Sequence, residues 1–183
     1  MFQNISNFSN TIDYLPILNG ALMADFIFLF LLIFGIIQSK KLKEWYRKYT
    51  LSAVIEDVLV LVIGIIIARF LYKPIFGPTF SLFKFTILAV LLQIIHDVLF
   101  YFFFQQFPRG KNRMMDTFQD YAKEAGPYAI FGDSCMMALT CILSSYFASF
   151  SMNSNVVLLI FIIYFIPYTI YTFYTFAHLK CPL

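Results

Sequence analysis

The sequence predicts an all-α protein: an integral membrane bundle of five transmembrane helices plus one amphipathic interfacial helix. Three observations carry this expectation. The chain of 183 residues is 61% hydrophobic and only 13% charged, against about 25% charged in soluble domains. Its apolar residues fall in five runs, each near the roughly 20 residues that a spanning helix needs. Its lysines and arginines collect in alternate connections, the asymmetry that orients membrane proteins.

Residues 1–18 read as a polar N-terminal tail, lacking the basic and apolar regions of a secretory signal. Asn4-Ile5-Ser6 and Asn7-Phe8-Ser9 fit the glycosylation acceptor pattern, which matters only if this end is luminal. The membrane domain covers 19–177, with spans at about 19–38, 51–72, 82–104, 128–149 and 156–177. Pro74, Gly77 and Pro78 punctuate the second connection, and residues 151–155 the fourth. The interfacial helix is placed at about 112–125. There Met114, Phe118, Tyr121, Ala122 and Ala125 form an apolar stripe, with Asp116, Asp120, Lys123 and Glu124 on the polar side. Gly126-Pro127 ends it, glycine as cap and proline as stop. Residues 178–183 form a C-terminal tail.

The first connection holds Lys40, Lys41, Lys43, Arg47 and Lys48, and the third holds Arg109, Lys111, Arg113 and Lys123. The opposite side has only Arg69, Lys73 and Lys84. By the positive-inside rule the N-terminus lies outside or in a lumen, and the basic connections and C-terminal Lys180 lie in the cytoplasm. Trp45, Tyr46 and Tyr49 suit the headgroup zone beside the first basic connection.

Ionisable residues interrupt four of the five spans. A charge near a bilayer centre costs at least ~2.5 kcal/mol, so such residues face protein or water and mark candidate sites. Glu56, Asp57, His96, Asp97 and Asp133 all fall about 5–8 Å to the cytoplasmic side of their helix centres at ~1.5 Å per residue. They are read as one intramembrane polar cluster. Tyr164, Tyr168 and Tyr171 share a face of the fifth span with Thr175 and His178, and are its candidate partners. Gln93 and Asp97 are one turn apart. Asp25 and Arg69 fall on the outer half, where they either pair or separate, Arg69 snorkelling and Asp25 capping a shorter helix.

Three readings of the cluster stand open. It is a polar lock between helices, a proton or cation path, or a metal site of carboxylates and one imidazole. No helical EXXH or HXXXH pair supports metal, so neither a metal nor another cofactor is assigned. His96 and Ser134 lack any framed nucleophile motif. No P-loop, GxGxxG or CxxC occurs, and no basic-aromatic surface points to nucleic acid. Cys135, Cys141 and Cys181 match no zinc spacing. The chain is read as non-enzymatic.

The stretch His96-Asp97-Val98-Leu99-Phe100-Tyr101, then Pro108-Arg109-Gly110-Lys111-Asn112-Arg113, continues through MMDTFQDYAKEAGPYAIFGDSCMM. Over about 96–137 the chain resembles a family of small multi-pass membrane proteins encoded by large DNA viruses of algae and protists. The matched positions include His96, Asp97, Asp116, Asp120, Tyr121, Glu124 and Asp133. The resemblance implies a virus-encoded membrane component, in the virion's inner membrane or a virus-modified host membrane, and it implies no activity. Expected partners are the lipid bilayer and a capsid or other membrane protein reached through the cytoplasmic loops. Arg109, Lys111 and Arg113 are the interfacial contacts if the amphipathic helix docks a partner rather than merely covering the bundle end. The alternative function is a small proton or cation transporter or channel, which at this size favours a homo-oligomer.

Overall fold

In a bilayer the backbone satisfies its own polar groups only as helix or closed barrel, and long apolar runs without strand alternation resolve to helix. The computed structural model describes residues 1–179, with side chains through residue 172; residues 178 and 179 of the expected C-terminal tail belong to the last helix, while residues 180–183, with Lys180 and Cys181, lie outside the described residues, as do the side chains of Thr175 and His178. Seven α-helices follow a short 3-10 turn at Thr11–Asp13. They are α1 (Tyr14–Ile33), α2 (Lys40–Tyr49), α3 (Leu51–Phe76), α4 (Leu82–Gln105), α5 (Arg113–Ala125), α6 (Pro127–Phe147) and α7 (Met152–Leu179). Five of them, α1, α3, α4, α6 and α7, are long and apolar enough to cross a membrane.

The short helices α2 and α5 lie side by side at one end of the bundle. Sequence reading places one interfacial helix there, and the structure has two. The first basic connection folds because Ser39 caps it, its hydroxyl accepting from the Leu42 amide at 3.1 Å, and because Trp45 and Tyr46 turn inward and are buried. Glu124 of α5 reinforces the cap: its carboxylate accepts from the Lys40 amide at 2.7 Å, the Lys41 amide at 3.0 Å and the Ser39 hydroxyl at 2.9 Å. A carboxylate at a helix N-terminus is favoured by both the orphan amides and the helix dipole. Each interfacial helix then reverses into the next span through a residue of positive φ. Gly126 (φ 53°) adopts this freely, whereas the β-branched Thr50 (φ 50°) does so at steric cost.

The central element is α1. In its most apolar stretch 56% is buried in the bundle, against 22–39% for the other four spans. Its start differs from the hydropathy reading: it begins at Tyr14 rather than near 19 and ends at Ile33 rather than near 38. Polar Asn19 and small Gly20 are therefore interior helix residues, and Gly20 is the most tightly packed of the glycines. A Cβ on Gly20 would sit 2.3 Å from Ser144 Oγ and 2.8 Å from the Ser144 backbone nitrogen on α6. Beside it, the Asn19 amide donates to the Asn155 carbonyl at 2.9 Å, and Asn155 donates to the Phe147 carbonyl at the end of α6 at 3.0 Å. Small residues let membrane helices approach, and interhelical hydrogen bonds add to the packing.

The N-terminal residues are docked on this end rather than free. The Gln3 amide donates to the Ser145 carbonyl at 3.0 Å and the Ser145 hydroxyl returns a bond to the Gln3 carbonyl at 2.6 Å. Ile5 is fully buried.

Gly20→Ala should overpack the α1–α6 crossing and destabilise the fold by about 1–3 kcal/mol. Ser144→Ala should not restore it, because the Ser144 backbone is also in the way. Thermal unfolding of both variants in detergent micelles measures this.

Candidate functional site

The candidate site forms where α2 meets α1 and α3. The Tyr46 hydroxyl lies 2.8 Å from Asp25 Oδ1 and 2.8 Å from Asp57 Oδ2, and the Trp45 indole nitrogen donates to the same Asp57 Oδ2 at 3.3 Å. Asp25 and Tyr46 are buried. Burial first, then the two neighbouring carboxyls, hold the Tyr46 phenol far above its usual range, so it stays a hydroxyl with one proton to donate. The shifted register of α1 brings Asp25 here. It falls past the midpoint of the Thr11–Ile33 span, on the α2–α5 side, and joins the carboxylate layer instead of the outer half.

A second group adjoins the first. On α4 the Gln93 amide donates to Asp97 Oδ1 at 2.7 Å, and His96 Nδ1 lies 3.1 Å from that oxygen. Asp133 of α6 interacts electrostatically with both Asp97 and Asp57. Tyr121 of α5 closes the layer from the interfacial side; burial, then Asp133, Asp57, Glu124 and Asp97, push its phenol upward. Acceptors outnumber donors here. Asp25 Oδ2, Asp97 Oδ2 and Gln93 Oε1 are buried with no hydrogen-bond partner.

The structure thus brings Asp57, Asp97 and Asp133 together, adds Asp25, and leaves other expected residues outside. Glu56 points outward from α3, adjacent residues on a helix being about 100° apart. His96 is also exposed, stacked on Phe100 at 5.7 Å. Tyr164, Tyr168 and Tyr171 are 57%, 59% and 58% exposed, and the Tyr168 hydroxyl donates to the Tyr164 hydroxyl at 3.3 Å rather than to a carboxylate. On α7 the inward face is Ile162, Ile166 and Ile170, and Tyr164 and Tyr168, midway between them in sequence, turn to the opposite side.

Arg69 does not pair with Asp25. It is buried on α3 at the other end, donating to the backbone carbonyls of Asn7 and Asn10 (2.7 Å) and to Asp13 Oδ2 at 3.2 Å, with its guanidinium over the Tyr14 ring at 4.8 Å. Neither expected arrangement forms: the N-terminal segment supplies the counter-charge through Asp13, Arg69 is buried rather than snorkelling, and Asp25 lies inside α1 rather than capping it.

On the interfacial side Arg109 is spent within its own protein, donating to Asp120 at 2.5 Å and to the Asp116 carbonyl at 3.0 Å. Lys111 and Arg113 remain exposed. The Gln119 amide, expected on neither stripe, donates to the Phe104 carbonyl at 2.8 Å and the Phe107 carbonyl at 3.0 Å, capping α4. Phe118 packs on Trp45 and Phe100 with ring centroids 4.8 and 5.2 Å apart. Among the described residues no group of three or more His, Cys, Asp or Glu side chains is arranged to hold a metal ion.

Sequence reasoning missed Tyr46 and Trp45 as site residues because their aromatic character alone fits the headgroup zone. The available signal was the helical spacing of Leu42, Trp45, Tyr46 and Tyr49 within a basic run, which gives α2 an inward face. No protein-family model, curated protein or solved structure matches the chain.

Tyr46→Phe should destabilise the fold by about 1–3 kcal/mol, the cost of leaving buried acceptors unpaired, and chemical denaturation in micelles reads it. A pH effect follows on the surface. The Arg109 hydrogen bond holds Asp120 below the usual carboxylate range. A depressed folded value stabilises above the unfolded value, and the gain is lost as pH falls through the folded one. Asp120→Asn should therefore show a smaller acid-induced drop in thermal midpoint than wild type between about pH 6 and about pH 3, a modest difference because the pair is exposed.

Proposed function

We propose that the chain is a non-enzymatic structural or assembly component of a membrane made by a large DNA virus, the virion's inner membrane or a modified host membrane, with the α2–α5 end turned to the cytoplasm as its partner surface. The observation that carries this reading is how α2 and α5 are held. Glu124, Asp120, Thr117 and Phe118 of α5 bind α2 directly, and Tyr46 ties α2 to two spans. The interfacial helices thus make a fixed platform. Lys40, Lys43, Arg47 and Lys48 line an open groove on it with Glu44, and Lys111, just before α5, and Arg113, its first residue, are exposed. The residues that carry the viral resemblance, about 96–137, correspond to the second half of α4, α5 and the start of α6. The basic platform supports a cytoplasmic assignment by the positive-inside rule.

A second reading, proton or cation movement through the carboxylate layer, is favoured by one observation: its buried acceptors lack donors. Against it stands the covering of Asp25 and Asp57 by Trp45 and Tyr46 at the α2 end.

Three measurements test these readings. In a background with Cys135, Cys141 and Cys181 replaced by alanine, single cysteines at Ser9 and Lys111 should label from opposite sides, Lys111 from the cytoplasm. Labelling of both from one side refutes the orientation. Antibody detection should place the protein in purified virions or virus-induced membranes; confinement to unmodified host membranes sinks the assembly role. In liposomes the protein should carry no proton or cation flux, and flux abolished by joint Asp97→Asn and Asp133→Asn substitution would establish the second reading instead.

A further inference from the structure

The trio at the root of α2 is short of a proton. Tyr46 has one hydroxyl hydrogen, yet its oxygen is 2.8 Å from a carboxyl oxygen on each side. One contact is made by Tyr46 as donor. The other needs a carboxyl that itself carries hydrogen, since two acceptors at hydrogen-bond distance with nothing between them repel. The indole of Trp45 decides which is which. It donates to Asp57 Oδ2, so that oxygen is the acceptor, and Tyr46 donates to it as well. Asp25 is left as the donor to Tyr46. Asp25 is also the better-hidden acid, with no exposed surface and with its Oδ2 buried and unpartnered, a place where a full charge has nothing to compensate it.

We propose that Asp25, Tyr46 and Asp57 form a binding site for one proton, carried by Asp25, and that this proton fastens α2 to the bundle. The chain of bonds runs from Asp25 O–H to the Tyr46 oxygen and from Tyr46 O–H to Asp57 Oδ2. When the proton leaves Asp25 for water, two carboxylates and a single hydroxyl hydrogen remain, and one 2.8 Å contact turns repulsive. The steric cost at Thr50, which joins α2 to α3, acts in the same direction. The surroundings add negative rather than positive charge. Close to Asp57 are its outward-pointing neighbour Glu56 on α3, Tyr121 on α5 and Asp133 on α6, and behind Tyr121 and Asp133 stand Asp97 on α4, beside His96, and Glu124 on α5. The described side chains of α7 carry no charged group; on α2, Lys40, Lys43, Arg47 and Lys48 line their own groove with Glu44, and Lys41 pairs with Glu44 and Asp120. This site is independent of the viral reading, since it concerns how α2 is held whatever α2 meets.

The test uses the full chain in phosphatidylcholine vesicles. Trp45 is its single tryptophan, so its emission reports directly on α2. Infrared spectra at neutral pH should contain a protonated-carboxyl band that Asp25→Asn removes. Alkaline titration should shift wild-type Trp45 emission to the red as α2 lifts. Asp25→Asn, whose amide donates without titrating, should abolish that step while keeping the neutral-pH emission. An unchanged infrared band, or an alkaline step that persists in Asp25→Asn, overturns the proposal. Should that variant fail to fold, Tyr46→Phe serves: with no hydroxyl to bind, the carboxyl band should move to the frequency of an unbonded acid. A band that stays in place overturns the proposal equally.

Discussion

One hydroxyl between two carboxyls organises the α2–α5 end of this bundle. A carboxyl group taken into a membrane protein must find hydrogen-bond partners among other side chains, because lipid offers none. Asp25 and Asp57 are on different spans, so any group that satisfies both ties α1 to α3. Tyr46 does so from a third helix, and α2 is thereby drawn across the end of the bundle. Much of that end follows from this placement. Trp45, the neighbour of Tyr46, lands against Phe118 and positions α5; α5 then offers Glu124 to the N-terminus of α2 and Gln119 to the C-terminus of α4.

The opposite end is built on the same constraint with different chemistry. Arg69 is enclosed by backbone carbonyls, Asp13 and the face of Tyr14, and the Asn19 amide donates to Asn155, which in turn donates to the end of α6. These contacts use the N-terminal segment as a fitted part of the bundle. The Gly20–Ser144 approach belongs to this end, and between the two ends the helices meet through apolar and small residues, Gly64 against the Met137 side chain among them. Polar bonding is thus concentrated in two layers, with close apolar packing between them. That division suits a solvent in which apolar burial alone gives helices little reason to associate.

How much of this could be read from the chain depends on which physical signal each part leaves. Long apolar runs bounded by Pro, Gly and Ser mark the spans, because hydropathy and breakers are local. The register of α1 is not local. Asn19 and Gly20 read as the first residues of a span, and only their partners on α6 and α7 make them its interior. The carboxylate layer was visible as charge at similar depth, but rotation was not. Inside a membrane the lipid-facing side is as apolar as the packed side, so the isoleucine and tyrosine faces of α7 were equally plausible inward faces. Glu56 and Asp57 show the same limit: depth does not separate them, while one helical step puts one outside and the other against Tyr46.

Interfacial helices carry the opposite ambiguity. Around α2 the abundance of lysine and arginine suggests a solvated loop and hides the four residues that turn inward. The same basic residues suit an external partner only because the inward face is committed. A helix free to roll would present a mixture of charges and aromatics, whereas one fixed through Tyr46 and Glu124 holds Lys40, Lys43, Arg47 and Lys48 along one groove. The buried acids and the basic surface are therefore two sides of one arrangement. A change in protonation beneath α2 acts on the surface above it, because the helix that carries the groove is the helix that the carboxyls hold.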